Sequence, residues 1–235
     1  MNIALILSGG TGARLGSDIP KQYLEVAGRP VISFSLEQLS YHNKIDAIWI
    51  VAEPVWQERI IKWLPKYDPN KKCKGFSVPG ANRQLSIFHG LEDMKTFVED
   101  SDHVLIHDAA RPLLSESLIT GCLEALQGHD GVLPVLPMKD TIYASTDGKR
   151  ISSLLDRSQV FAGQAPEGFC FGKYYEANRR LMPEAILKIN GSTEPAVMAG
   201  MDIAMIPGDE NNFKITTRAD LERFQEMGIS VEKPD

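Results

Sequence analysis

The sequence predicts a Rossmann-like α/β fold, a mostly parallel sheet flanked by helices, from which a β-hairpin arm projects. Three observations carry that prediction. Short apolar runs of strand composition alternate with longer segments of helical period, the pattern of a sheet built from crossover units. The first run closes on a glycine turn, at the position where open α/β sheets bind ligands. Between residues 140 and 162 the alternation breaks, and Asp147-Gly148 signals a hairpin in place of the next strand-helix unit.

Each element has its own justification. Residues 2–7 (NIALIL) form a buried strand by their branched composition, and Ser8-Gly9-Gly10-Thr11-Gly12 continues neither strand nor helix. Residues 47–51 (AIWIV), 104–106 (VLI) and 131–136 (GVLPVL) read as further strands, the last weakened by Pro134, which donates nothing to a ladder. Helices are expected at 31–39, 56–64, 83–97 and 115–126, where apolar residues recur every three or four positions. A last helix at 218–227 follows Thr217 as N-cap, with Asp220 three residues on. The hairpin at 140–162 lacks a core of its own, so it is expected to pack on another subunit or over the active site, a bare surface flap being the alternative.

The 235 residues, 43% of them apolar, fit one domain spanning 1–235 with residues 140–162 as its arm. No window reaches the roughly 18 continuous apolar residues of a membrane span, and the chain enters its first apolar run at Ile3 without a basic leader; no membrane partner and a cytoplasmic location are expected. With 31 acidic against 25 basic side chains the formal charge is -6, which repels nucleic acid and requires any anionic ligand to be met by cations gathered in one place. Cys73, Cys122 and Cys170 are odd in number and widely spaced, so they suggest neither a disulfide framework nor a metal site.

Candidate chemistry collects at three loops and near the C-terminus. Small residues Ser8 to Gly12 let backbone N–H groups approach an anion, and Arg14 and Lys21 add charge, which suits a phosphate chain. Leu15 occupies the third glycine position of a dinucleotide fingerprint, and Gly-Lys-Ser/Thr is absent, so neither common phosphate motif applies. Gly80, Arg83 and Ser86 stand at a glycine turn feeding a helix, where Arg83 and Ser86 suit a phosphate or a base; Asn82 capping the helix above a solvated Arg83 is the plainer explanation. Asp108 follows strand 104–106 and is placed to hold Mg²⁺, with Arg111 facing a second anion and His107 read as a hydrogen-bonded structural residue rather than a base. Lys214, in a short strand between apolar Phe213 and Ile215, points away from both.

Taken together and in order, GGTGARLG with PKQYLEVAGRPV, PGANRQLSIFHGL, HDAARP, KDT, LDR, GQAPEGF and NFKITTRADL resemble the cytidylyltransferases that make CDP-linked polyols. These are the 2-C-methyl-D-erythritol 4-phosphate and ribitol-5-phosphate cytidylyltransferases, and the resemblance runs from residue 2 to about 225. It implies a nucleotidyltransferase-type sheet, and transfer of CMP from CTP to a polyol phosphate with Mg²⁺ or another divalent cation. It further implies that Ser8, Gly9, Gly10, Thr11 and Gly12 cradle the CTP phosphates and that Gly80, Arg83, Ser86 and Ala109 hold the nucleotide. Arg14, Lys21 and Lys214 would be catalytic, and Asp108 would hold the metal and the substrate phosphate. Arg111 and Thr141 would contact the acceptor, and Arg157 would reach across the interface of a homodimer.

Two segments depart from the family pattern: Ala165-Pro166-Glu167 replaces Thr-Pro-Gln, and Thr193-Glu194-Pro195 replaces Thr-Asp-Asp/Glu. Both lie on the acceptor side. The expected acceptor is 2-C-methyl-D-erythritol 4-phosphate, giving 4-diphosphocytidyl-2-C-methyl-D-erythritol for isoprenoid synthesis. The alternatives are ribitol 5-phosphate, giving CDP-ribitol for cell-surface polymers, and a nucleotide-sensing module without turnover.

Overall fold

The computed structural model describes residues 1–10 and 19–227. Its strands in chain order are β1 (Asn2–Leu7), β2 (Glu25–Val26), β3 (Arg29–Pro30), β4 (Ala47–Val51), β5 (Cys73–Ser77) and β6 (His103–Asp108). They are followed by β7 (Gly131–Pro137), β8 (Ile142–Ala144), β9 (Ser153–Leu155), β10 (Phe161–Gly163), β11 (Glu167–Cys170) and β12 (Ile203–Pro207). The helices are α1 (Ile32–Tyr41), α2 (Pro54–Tyr67), α3 (Arg83–Met94), α4 (Glu116–Ala125), α5 (Phe171–Arg179), α6 (Glu194–Met198) and α7 (Arg218–Glu226).

The main sheet is mostly parallel, as expected. β1 pairs in parallel with β4 on one side and β6 on the other, and β4 pairs in parallel with β5. β11 runs antiparallel between β6 and β7, and β12 closes the far edge in parallel with β7. β10 lies on the same flank of β7 as β11, since Val135 is bracketed by Gly163 and Pro207. Pro134 sits where that flank passes from β11 to β10, and its carbonyl accepts from Gln164 N–H at 2.8 Å, so the missing N–H breaks no continuous ladder. The chain leaves β1 toward β4 and β5, then returns to β6 on the other side; the carboxyl ends of β1 and β6 therefore form the topological switch point.

Alternation along β1 feeds two cores. Ala4 and Ile6 pack with Ile32 and Leu36 of α1, Ile60 of α2 and Ile119 of α4, while Ile3 and Leu5 pack on the other face with Ile87 and Leu91 of α3 and Tyr174 of α5. A third cluster of Val26, Val31, Phe34, Ile215 and Phe224 seats α7 beside the β2–β3 hairpin. Phe224 meets Phe34 edge-on with ring centroids 5.1 Å apart. The expected cap is present: Thr217 and Asp220 form a capping box on α7.

Two expectations need correction. Residues 213–216 form no strand; the segment is an extended tether that Ile215 N–H fastens to the Ala110 carbonyl at 2.8 Å, and its side chains still alternate, with Ile215 buried and Lys214 on the other side. The arm is a separate β8–β9 ladder, but it ends before residue 161, because Phe161 and Ala162 already pair with Pro137 and Leu136 in the main sheet. Replacing Phe224 by alanine should cost about 3 to 5 kcal/mol of unfolding free energy, read from urea midpoints, because a fully buried ring leaves a cavity between α7 and the hairpin.

Candidate active site

The site grows from the ends of two adjacent strands. Ser8 N–H bonds the Val51 carbonyl at 2.8 Å and Ala109 N–H bonds the Leu7 carbonyl at 3.0 Å, so the parallel ladders run one residue past β1 and β6 and set the two loops side by side. The glycine loop is pinned from below. Gln22 donates to the carbonyls of Ser8 (2.7 Å) and Gly10 (2.8 Å), and the Tyr23 hydroxyl donates to the Ser8 carbonyl at 2.8 Å while accepting from Ser8 Oγ. Both side chains are buried, and burial pushes the Tyr23 phenol up to about 12. Neither was singled out from the sequence, although both lie in the PKQY string.

A second wall is built at the start of α3. A Cβ on Gly9 would fall 2.4 Å from Pro79 Cγ, so only glycine lets the two loops touch. Gly80 N–H donates to Ser86 Oγ (3.0 Å), Ser86 Oγ donates to the Asn82 carbonyl (2.8 Å), and Asn82 Oδ1 caps the helix by accepting from Leu85 N–H (2.8 Å). Asn82 is thus the cap, yet Arg83 is not solvated: it turns inward to the end of β6.

There Asp108 gathers three cations. Its Oδ1 accepts from Arg83 Nη2 (3.2 Å) and Nε (3.3 Å); its Oδ2 lies 3.0 Å from Lys214 Nζ and 3.5 Å from Arg111 Nε. Burial alone would raise the Asp108 pKa, but the charges of Arg83, Lys214 and Arg111 outweigh it and hold the carboxyl far below the usual carboxylate range. His107 is fully buried and donates through Nε2 to the Arg111 carbonyl (3.1 Å); burial lowers it to about 4, so it is neutral and structural, as its sequence position suggested.

These groups enclose a cavity of about 520 Å³ lined by Gly9, Gly10, Lys21, Gly80, Arg83, Ser86, Asp108 and Lys214. Five expected ligands among the described residues do not line it. Ser8 spends its hydroxyl on Tyr23, Ala109 spends its amide on Leu7, leaving Ala110 at the wall, and Arg111 lies behind Asp108 with Nη1 on the Asn212 carbonyl at 2.6 Å. Thr141 and Arg157 are not brought to this cavity; they line a separate hollow on the arm, where Arg157 Nη1 donates to the Lys139 carbonyl at 2.9 Å. Thr11, Gly12 and Arg14 lie outside the described residues. Glu53, which also lines the cavity, and Glu167, 3.7 Å from Arg83, were not identified beforehand as site residues.

Among the described residues no three His, Cys, Asp or Glu side chains gather as a metal cage. Two carboxylates, Asp108 and Glu53, line the cavity, and Mg²⁺ asks no more than one or two of a protein, completing its shell with phosphate and water oxygens.

Residues 2–227 match the family model described as IspD: 2-C-methyl-D-erythritol 4-phosphate cytidylyltransferase. The chain belongs to this cytidylyltransferase family. It is 36% identical over 233 residues to the bifunctional enzyme IspD/IspF of Granulibacter bethesdensis, covering 97% of this chain and 57% of that one. It is 31% identical to the ribitol-5-phosphate cytidylyltransferase of Vibrio parahaemolyticus, covering 96% and 94% of the two chains. The solved 4-diphosphocytidyl-2C-methyl-D-erythritol synthase of Anaerococcus prevotii superposes with a TM-score of 0.81 at 26% identity, covering 96% and 95%. The chain spans little more than half the length of the bifunctional IspD/IspF relatives it matches.

His107 carries a stability signature. Its folded pKa lies below the unfolded value of 6.5, so between pH 6.5 and about 4 the unfolded chain binds more protons; its contribution is complete above pH 6.5 and is lost as pH falls toward 4. Between pH 7 and pH 5 wild type should lose about 2 kcal/mol more unfolding free energy than His107→Gln, which keeps a donor for Arg111; equal losses would rule out a buried neutral histidine.

Proposed function

We propose that the chain is a cytoplasmic, CTP-dependent cytidylyltransferase that moves CMP to a polyol phosphate and releases pyrophosphate. The proposed acceptor is 2-C-methyl-D-erythritol 4-phosphate. One observation carries the reading: Arg83, Arg111 and Lys214 converge on Asp108 at the end of β6, and Lys21 lines the same cavity together with Gly9 and Gly10. Family membership over residues 2–227 supports the nucleotide and the reaction class. The three free thiols suit the reducing cytoplasm, where disulfides are rare. Among the described residues no helix is long and apolar enough to cross a membrane.

The chemistry follows from charge. An oxygen of the acceptor's phosphate attacks the α-phosphorus of CTP and forms the new P–O bond as the bond to the β-phosphate breaks, with pyrophosphate leaving. The nucleophile arrives ionised and needs no base, which agrees with a buried, neutral His107. What the cleft must supply is neutralisation of two anions and of the charge that develops on the transferring group. Lys214 is held 3.0 Å from Asp108 and lines the cavity, so a small swing exchanges carboxylate for phosphate, while Lys21 faces the nucleotide phosphates beside Gly9 and Gly10. Mg²⁺ fits Asp108 together with the polyphosphate, and when bound it adds charge neutralisation.

The working unit we propose is one domain over residues 1–235 that pairs as a homodimer through its arm. Tyr143 (54% exposed), Ile151 (67%) and Leu154 (64%) project from the β8–β9 region without a core beneath them, which favours cover by a second copy. Thr141 and Arg157, remote from this chain's own cavity, would then serve the partner's site. Ribitol 5-phosphate is the second reading for the acceptor, favoured by the Vibrio parahaemolyticus relative, which this chain matches over nearly its full length.

Pyrophosphate release from CTP, Mg²⁺ and a panel of polyol phosphates tests both readings. Release with methylerythritol phosphate alone is expected; release with ribitol phosphate alone transfers the assignment to the second reading; tight CTP binding with no release sinks the enzyme reading in favour of a nucleotide sensor. Folded Lys21→Ala and Lys214→Ala should each lower kcat by about 10² to 10³.

A further inference from the structure

We infer that Glu167, which stands where the family pattern has glutamine, is a positioning residue that aligns the catalytic charges through Arg83; the inference rests on the cytidylyltransferase reading above. Sheet register puts it there. Glu167 pairs with Ile106 on the neighbouring strand, and Ile106 precedes Asp108 by two, so the side chains of Glu167 and Asp108 leave the same face of the sheet. The Arg83 guanidinium lies between them, with Nη2 3.2 Å from Asp108 Oδ1 and 3.7 Å from Glu167 Oε1.

Two hydroxyls complete the arrangement. Arg83 Nη1 donates to Ser192 Oγ, Ser192 Oγ donates to Glu167 Oε1, and Thr193 Oγ1 donates to Glu167 Oε2 at 2.6 Å. Ser192 is further fixed from behind, because its carbonyl accepts from the Tyr174 hydroxyl at 2.7 Å. None of Glu167, Ser192 and Thr193 lines the cavity, and Glu167 is only 8% exposed, so it meets no substrate there and acts through the guanidinium.

The donor accounting explains why a carboxylate is used. Both hydroxyl protons are committed to Glu167, one to each oxygen, and a carboxylate accepts both without offering a proton of its own. A glutamine amide offers one oxygen and one NH₂, so one hydroxyl loses its acceptor and Arg83 loses one of its two counter-charges. Arg83 in turn occupies Asp108 Oδ1 and leaves Oδ2 to Lys214. A loosened guanidinium therefore tilts the carboxylate on which the catalytic lysine rests. Thr193-Glu194-Pro195, one of the two segments that depart from the family pattern, is thus coupled through the Thr193 hydroxyl to Glu167 of the other, Ala165-Pro166-Glu167.

The test is Glu167→Gln, with Ser192→Ala as a second variant that loosens the same guanidinium should the first not fold. In folded protein kcat should fall between about tenfold and 10²-fold, the scale of a misplaced catalytic group, while the CTP Kd, which a loosened Arg83 also affects, rises by much less than kcat falls. With Arg83→Lys already in place, Glu167→Gln should cause little further loss, because both act on one group. A kcat within twofold of wild type, a loss that tracks the unfolded fraction, or a CTP Kd that rises in step with the loss overturns the proposal. If wild type releases no pyrophosphate from any acceptor, the function reading fails instead; the Arg83 Nε–H resonance, expected to broaden in Glu167→Gln, then tests Glu167 alone, and an unchanged resonance overturns it.

Discussion

The site depends on one buried carboxylate. Asp108 stands at the end of a central strand, nearly closed to solvent, and two guanidiniums and an ammonium rest on it. Without it, three like charges would share a cleft and repel one another. Burying charge is costly unless it is paired, and each cation here has the same counter-ion within about 3.5 Å. The cleft is therefore a prearranged set of cations resting on one anion, and under the proposed reaction arriving phosphates would take over a share of that pairing. Preorganisation of this kind stabilises developing charge without reorganisation at the moment of reaction.

The scaffold explains why the cations meet. Arg83 comes from the first turn of α3, Arg111 from the loop after β6, and Lys214 from the tether before α7, three points far apart in sequence. The tether is held by Ile215 N–H on Ala110 and by Arg111 on the Asn212 carbonyl, and Phe224 packs its helix down beside Phe34. Opposite them, Gln22 and Tyr23 occupy the Ser8 and Gly10 carbonyls, which fixes the underside of the glycine loop.

Much of this was legible in the residues. β1 and β4 have the bounds their apolar runs suggest, and the caps at Asn82 and Thr217 follow from side chains that accept from backbone N–H groups. What was not legible is tertiary. β5 (CKGFS) has no apolar run, and its Gly75 leaves room for the Trp49 ring, a contact invisible in local composition. Lys214 looked like part of a strand because its neighbours alternate, but it has no partner strand among the described residues, and the alternation comes from Phe213 and Ile215 packing into the cluster around Phe34 and Phe224. Ser8 and Arg111 have residue types suited to a ligand, yet their polar groups are taken by Tyr23 and Asn212, which only the fold brings near.

The same electrostatics bears on how the site responds to pH. Asp108 is held far below the ordinary carboxylate range, and His107 beside it is kept neutral down to about pH 4 by its burial. Neither group at the end of β6 changes charge between pH 5 and 8. A phosphate monoester, by contrast, takes on its second negative charge near pH 6. Under the proposed reaction, the acid limb of turnover then belongs to the acceptor rather than to these residues: the protein presents a constant field, and the nucleophile supplies the proton dependence by ionising before it binds.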